Sequence, residues 1–194
     1  DRSVSLGVNV ASIARVMKCA SPDDQMKLEA DDDGSQLNFT FQSKTNERNS
    51  KFEVNLLDID SGFMQIPETD YVAEITLSSA ELSKIAKDLM NFGDTVTITA
   101  NKKSIQFSVS GNLGKGSVVI EESAEVETNK IHVREKISLT LSLKYLNQFC
   151  KGSTLGDIVT IKMREDSPLL VEFPFGEEYG SLKLFLAPKI DSDE

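Results

Sequence analysis

The sequence predicts an α+β fold built by duplication, and three observations carry that expectation. The fourteen-residue stretches SLGVNVASIARVMK (5–18), EITLSSAELSKIAK (74–87) and SLTLSLKYLNQFCK (138–151) superimpose without a gap, and each ends in lysine. The first half of each alternates apolar and polar residues, the period of a half-buried strand, and the second half switches to helical spacing. Each stretch is followed by an alternating strand, a polar turn and two further strands. The resulting module of strand, helix and three strands recurs at offsets of 69 and 64 residues, far longer than the periods of helical or leucine-rich solenoids.

Taken in order, the opening strands of the three modules align Leu6 with Ile75 and Leu139, and Val8 with Leu77 and Leu141. The helices align Ile13 with Leu82 and Leu146, and Val16 with Ile85 and Phe149. Asn9, Ser78 and Ser142 fall where strand gives way to helix, and a short side-chain oxygen there can cap the first helical N–H groups. After Lys18 come QMKLEA, the turn DDDG, SQLNFTF and KFEVNLL (51–57); after Lys87, TVTITANKKSIQFSV and GSVVIEE (116–122); after Lys151, IVTIKMREDSPLLVEF and GSLKLFLAP (180–188).

The chain's 194 residues, 39% of them hydrophobic, suffice to bury one or two sizeable cores without disulfides or metals. No run of 18 apolar residues occurs and no basic-then-apolar start resembles a signal peptide, so no membrane partner is expected. The chain opens on Asp1, without methionine, inside a module; the expectation is that an earlier segment of the protein is missing.

Catalysis finds little support. Cys19 and Cys150 each end an apolar helix without a CxxC partner, and the single histidine, His132, lies in an alternating strand. Buried free cysteine is the commoner state of such residues, and one histidine with two distant cysteines cannot supply a zinc tetrad. The run Asp31, Asp32, Asp33, Gly34 reads as a solvated hairpin turn rather than a cation site. GNLGKG (111–116) lacks the lysine followed by serine or threonine of a phosphate loop and leads into a strand. No cofactor, metal or catalytic residue is expected.

Charge is segregated. The net charge of −10 contrasts with residues 10–20, which carry Arg15 and Lys18 for +2, and 143–151, which carry Lys144 and Lys151 for +2. In 79–91, Lys84 and Lys87 balance Glu81 and Asp88, leaving −14 for the rest of the chain. One surface would then attract polyanions while the remainder repels them, as a protein holding nucleic acid on a single face requires. Periodicity alone distinguishes neither DNA from RNA nor a closed ring from an open patch, and a solvated helix face with ordinary lysines is the plainer reading of any one stripe.

LLDIDSGFMQIPETDY (56–71), VASIARVMKCA, ELSKIAKDL, LKYLNQFCKGS and the terminal LAPKIDSDE together resemble the proliferating cell nuclear antigen family, the eukaryotic sliding clamps of DNA replication. The resemblance covers the whole chain and implies the DNA clamp fold, with the family's first strand-helix-three-strand unit absent. It divides the chain into the second half of a first clamp domain (1–57), an interdomain connector (58–70) and a second clamp domain with an acidic tail (71–194). By resemblance, three subunits close head to tail into a homotrimer around duplex DNA, gripped without regard to sequence, in the nucleus. Arg15, Lys18, Lys84, Lys87, Lys144 and Lys151 match the cationic positions of the inner wall; Gln148 departs, standing where the other modules have Arg15 and Lys84.

The same resemblance implies pairing between the segments 51–57 and 115–122 of neighbouring subunits. It also implies an apolar groove for partner peptides carrying a glutamine, an aliphatic and two aromatics (the PIP-box), with Met64, Ile66, Pro67, Pro168, Phe185, Leu186, Ala187 and Pro188 at the matching positions. From sequence alone, Met64 and Ile66 could equally anchor their loop to the core. DNA polymerase delta, the clamp loader, flap endonuclease and DNA ligase are the partners so implied. Lys102 falls on the family's ubiquitin acceptor, with Lys103 beside it, either of which could be an ordinary turn lysine. A truncated, monomeric peptide-binding domain that does not encircle DNA is the alternative.

Overall fold

The structure, a computed structural model, describes residues 5–31, 34–45, 47–59, 69–123, 129–176 and 180–189. The chain forms two compact units, Asp1–Ile66 and Pro67–Glu194.

The first unit holds helix α1 (Val10–Met17) and strands β1 (Gln25–Ala30), β2 (Gln36–Gln42) and β3 (Asn49–Asn55), the strands forming an antiparallel sheet in the order β1-β2-β3. The Asn9 side chain caps α1 by accepting from the Ser12 N–H at 3.1 Å. Alternation along β2 turns Phe39 and Phe41 inward to meet Val54 of β3, with Ile13 and Val16 of α1 packed against them. The residues before α1 depart from expectation: the predicted opening strand makes only an isolated bridge, Gly7 opposite Leu57. The second unit shows the physical reason, because there the equivalent strands draw their ladders from a different module.

The second unit runs β4 (Ala73–Ser78), α2 (Ser79–Leu89), β5 (Thr95–Asn101), β6 (Ser104–Gly111), β7 (Gly114–Glu121), β8 (Lys130–Val133), β9 (Ile137–Ser142), α3 (Leu143–Phe149), a 3-10 turn (Cys150–Thr154), β10 (Ile158–Met163), β11 (Leu169–Phe175) and β12 (Gly180–Leu186). Its strands form two antiparallel sheets, β12-β11-β10-β4-β8 and β7-β6-β5-β9. The modules exchange their opening strands. β4 pairs with β10 of the later module, Ile75 opposite Ile161, and β9 pairs with β5 of the earlier one, Leu139 opposite Ile98. Both sheets turn their apolar faces inward, and Ile75, Leu77, Ile98, Phe107, Leu141, Ile161 and Phe173 are fully buried.

The helix starts are exchanged as well. The Ser79 N–H, first in α2, donates to the Asp157 carbonyl, and the Leu143 N–H, first in α3, donates to the Asp94 carbonyl, both at 2.9 Å. Helices leave their first N–H groups unsatisfied, and here each module supplies the other's acceptor. Ser78 and Ser142 do stand at the N-cap positions with extended backbone, but neither side chain caps. The β6–β7 hairpin needs its glycines: a Cβ on Gly111 would lie 1.9 Å from the Phe92 carbonyl oxygen, and Gly114 sits at φ +130°.

Candidate nucleic-acid interface and partner cavity

Helix α2 buries Leu82, Ile85, Ala86 and Leu89 and leaves Lys84 and Lys87 exposed; α3 buries Leu143 and Leu146 and leaves Lys144 and Gln148 exposed. The two helices pack side by side, and the Lys87 ammonium lies close enough to Cys150 to act on its thiol. Burial dominates there and pushes the Cys150 thiol up to about 11. Lys18, Lys87 and Lys151 each stand eight residues beyond the first residue of their helix, yet the helices differ in length. Lys87 is within α2, Lys18 is the C-cap of α1, and Lys151 lies on the 3-10 turn rather than on α3. The tightening follows from Gly152, which packs its backbone on the buried ring of Phe173 where the α2 counterpart carries Asp88. In the first unit Arg15 and Lys18 are exposed, on a helix none of whose residues is buried. Cys19 is exposed as well, against the expectation of a buried thiol, its Sγ–H directed at the Arg15 carbonyl.

Of the strands that end the three sheets, two contain the segments expected to pair between subunits. β3 ends the β1-β2-β3 sheet and β7 ends the β7-β6-β5-β9 sheet. The Glu122 N–H donates to the Lys103 carbonyl at 2.9 Å, so by alternation the N–H groups of Ser117, Val119 and Glu121 point away from β6. Val119 presents its side chain to solvent as well.

On the second unit a cavity of about 600 Å³ is walled by Leu139, Pro168, Ala187 and Pro188, with Glu165 and Asp166 on one rim and Lys189 on the other. Lys189 fixes the last wall: its N–H donates to the Thr140 carbonyl at 2.8 Å and its Nζ reaches the Thr95 hydroxyl. Of the predicted groove residues, Pro168, Ala187 and Pro188 thus meet in one cavity. Leu186 does not join them as a side chain, because alternation along β12 turns it into the core. Phe185 faces the opposite side of that strand, across from Leu170. Met64, Ile66 and Pro67 lie outside the described residues.

Comparison with known proteins adds the decisive observation. The family model for the proliferating cell nuclear antigen C-terminal domain matches residues 65–189, and that for its N-terminal domain matches residues 1–65. The chain belongs to the proliferating cell nuclear antigen family. One relative, the proliferating cell nuclear antigen of Chaetomium thermophilum, is 42% identical over 198 aligned residues, spanning 100% of this chain and 76% of the relative. The family is one of DNA sliding clamps, of α+β clamp fold, rather than of catalysts.

Within this clamp one cluster beside the cavity has no counterpart in any motif or periodicity of the sequence. Arg134 donates through Nη2 to the Asp70 carboxylate and to the Tyr71 carbonyl, each at 2.6 Å, while Arg164 donates to the Asp70 carbonyl at 3.2 Å. The hydrogen bond from Arg134, and then its charge, hold the Asp70 carboxyl below its ordinary value. The cluster pins residues 70–72 between β8 and β10, and Glu165 and Asp166 connect it to the cavity rim. Isolated arginines in strand ends carry no periodicity or motif, and only the tertiary pairing reveals them. Lys102 and Lys103 form the exposed turn between β5 and β6. Among the described residues no group of three histidine, cysteine, aspartate or glutamate side chains is placed to hold a metal ion.

Proposed function

We propose that this chain works as a nuclear, non-catalytic processivity clamp: three subunits close head to tail around duplex DNA, and client proteins dock in the cavity of Pro168, Ala187 and Pro188. The observation that carries the reading is the matched placement of Lys18, Lys87 and Lys151, each eight residues beyond the first residue of its module's helix, in an otherwise acidic chain. Lysine near a helix C-terminus also eases the helix dipole, but that accounts for neither Lys84 nor Lys144, which stand earlier. Contacts to phosphate without contacts to bases hold DNA nearly equally in every register, and a clamp that slides needs this.

The open edges of β3 and β7 support ring closure by strand pairing between subunits. Free edges invite association, and these two correspond to the segments 51–57 and 115–122. The connector of residues 58–70, with Met64, Ile66 and Pro67, would complete the client groove; its clients would be the replicative polymerase delta, clamp loader, flap endonuclease and ligase. Lys102, on an exposed turn, would accept ubiquitin.

Salt titration of duplex binding tests the proposal. Replacing Lys84, Lys87, Lys144 and Lys151 by alanine should flatten the dependence of log affinity on log salt by about 0.9 for each lysine that neutralises a phosphate, equally on duplexes of unrelated sequence. An unchanged slope would refute the DNA-facing assignment. Val119→Pro removes an outward N–H from an edge strand, a change such strands tolerate; it should abolish ring closure in light scattering and leave peptide binding intact.

A further inference from the structure

Alternation along TVTITAN, the sequence of β5, buries Val96, Ile98 and Ala100 and turns Thr95, Thr97 and Thr99 to the outward face of the sheet. β9 lies beside it, with Ile137, Leu139 and Leu141 buried and Ser138 and Thr140 on the outward face. None of the three threonines lines the cavity of Pro168, Ala187 and Pro188, yet the hydroxyl of each reaches a residue that does. Thr97 Oγ1 meets Thr140 Oγ1 at 3.2 Å and Thr99 Oγ1 meets Ser138 Oγ at 2.9 Å, both across directly opposed strand positions. Thr95 breaks the pattern. Its opposed residue is Ser142, but its hydroxyl accepts from the Lys189 ammonium instead.

These contacts hold two sides of the cavity. Ser138 and Thr140 belong to its β9 side. On the other side β12 ends at Leu186, and past it Lys189 makes both hydrogen bonds that tie the chain to this sheet, from its N–H to the Thr140 carbonyl and from its ammonium to Thr95. Ala187 and Pro188 are the wall between Leu186 and that anchor. Among the described residues no carboxylate pairs with Lys189, although Glu165 and Asp166 stand on the opposite rim of the same cavity. Its ammonium is committed to β5. Threonine is an ordinary strand former, and hydroxyl pairs across strands steady any sheet. Sheet stability alone explains neither the departure at Thr95 nor the fact that all three partners belong to one cavity.

We infer, resting on the reading of this cavity as the client groove, that Thr95, Thr97 and Thr99 are positioning residues for client binding. From outside the cavity they hold Ser138, Thr140 and Lys189, and through Lys189 the Ala187–Pro188 wall, in place before a peptide arrives. Side chains ordered in advance lose no freedom on binding, so part of the groove's affinity lies in these three hydroxyls. Valine keeps the shape and the strand preference of threonine without the hydroxyl, and serine keeps the hydroxyl without the strand preference. The two substitutions therefore separate positioning from sheet stability.

The test uses the full chain and a synthetic peptide carrying a glutamine, an aliphatic and two aromatics, titrated by calorimetry. Thr95→Val, Thr97→Val and Thr99→Val together should weaken the peptide by at least ~10-fold, the ordinary effect of leaving several side chains to be ordered on binding. Thr95→Ser, Thr97→Ser and Thr99→Ser together should bind as the parent chain does. The urea midpoint should move the other way, holding in the valine set and falling in the serine set. Thr95→Val alone should speed hydrogen exchange at the Lys189 amide, which reads the wall with no peptide present. A valine set that binds like the parent, or that loses affinity only in step with its unfolding midpoint, overturns the inference. So does a loss from Lys189→Met that Thr95→Val does not reproduce, which would make Lys189 a direct peptide contact. A parent chain that binds no such peptide refutes the client reading, whereas unaltered exchange at Lys189 refutes the hold by β5, so the two failures are told apart.

Discussion

Replacing Gly152 by alanine probes the 3-10 turn that carries Lys151. The new Cβ would lie 2.6, 2.8 and 3.0 Å from three ring atoms of Phe173, where ordinary contact begins at 3.4 Å. The closest contact must therefore open from 2.6 Å to beyond 3.0 Å, and to 3.4 Å for ordinary packing. The ring cannot retreat, because Phe173 is fully buried between its sheet and the helices, and interiors are packed too densely to absorb such a shift. The turn must move outward instead. Overpacking of this kind costs about 1–3 kcal/mol, and at a typical urea dependence a 2 kcal/mol loss moves the unfolding midpoint of the second unit by roughly 1 M. Circular dichroism during urea titration measures it. A double-mutant cycle makes the cause specific: Phe173→Leu removes the opposing ring, so Gly152→Ala combined with Phe173→Leu should be more stable than the sum of the single effects by at least ~1 kcal/mol. DNA affinity should change little, since an exposed lysine on a displaced turn can still reach phosphate. Additive single effects, or a neutral Gly152→Ala, would refute the argument that the ring dictates the turn.

Two further outcomes follow from the cavity and the thiols. Ala187→Arg places a charged side chain in the apolar cavity and should weaken a peptide with a glutamine, an aliphatic and two aromatics by at least ~10-fold in calorimetry, without altering the salt dependence of DNA binding. The buried Cys150 thiol, held up to about 11 against an ordinary 9.0, binds its proton more tightly folded than unfolded. Its contribution is complete below pH 9 and is lost as pH rises toward 11, so stability should fall across that interval by on the order of 2 kcal/mol. Cys150→Ala should remove that part of the slope, and a thiol reagent should label Cys19 in the native protein well before Cys150.

Much of the fold was legible because it rests on local pattern. Alternation located β5, β6, β9 and β10, helical spacing located the three helices, and Asn9, Ser78 and Ser142 mark the helix starts. What stayed hidden depends on which strand meets which. Nothing in EITL or IVTI says that β4 pairs with β10 rather than with its own neighbour β5, and for the same reason the opening stretch of the first unit, which has the right alternation, forms no ladder. Ser78 and Ser142 carry capping residue types, but backbone carbonyls from the opposite module already serve the first N–H groups. Lys151 was placed on a helix by its spacing; contact between Gly152 and Phe173, 21 positions away in sequence, ends that helix early. The exposed lysines and the prolines of the cavity were legible by resemblance, whereas Arg134 and Arg164 were not, since their role arises only where two strand ends converge on Asp70.

The exchange of strands and helix caps between modules also bears on biosynthesis. Ile75 meets its ladder partner Ile161 only after 86 further residues have been made, which at about 5–20 residues per second is roughly 4–17 s of translation. Throughout that interval β4 has neither its neighbour β10 nor a lasting cover for Ile75 and Leu77, and α2 lacks the carbonyl that receives its first N–H. The second unit therefore has no stable halfway product on the ribosome: a nascent chain stopped before β10 exposes an apolar strand to chaperones and proteases, and the β5-β6-β7 meander, complete earlier, must wait for β9 to close over it. Quality control of this clamp is built into the order of its strands, because only a chain translated through β10 can bury β4.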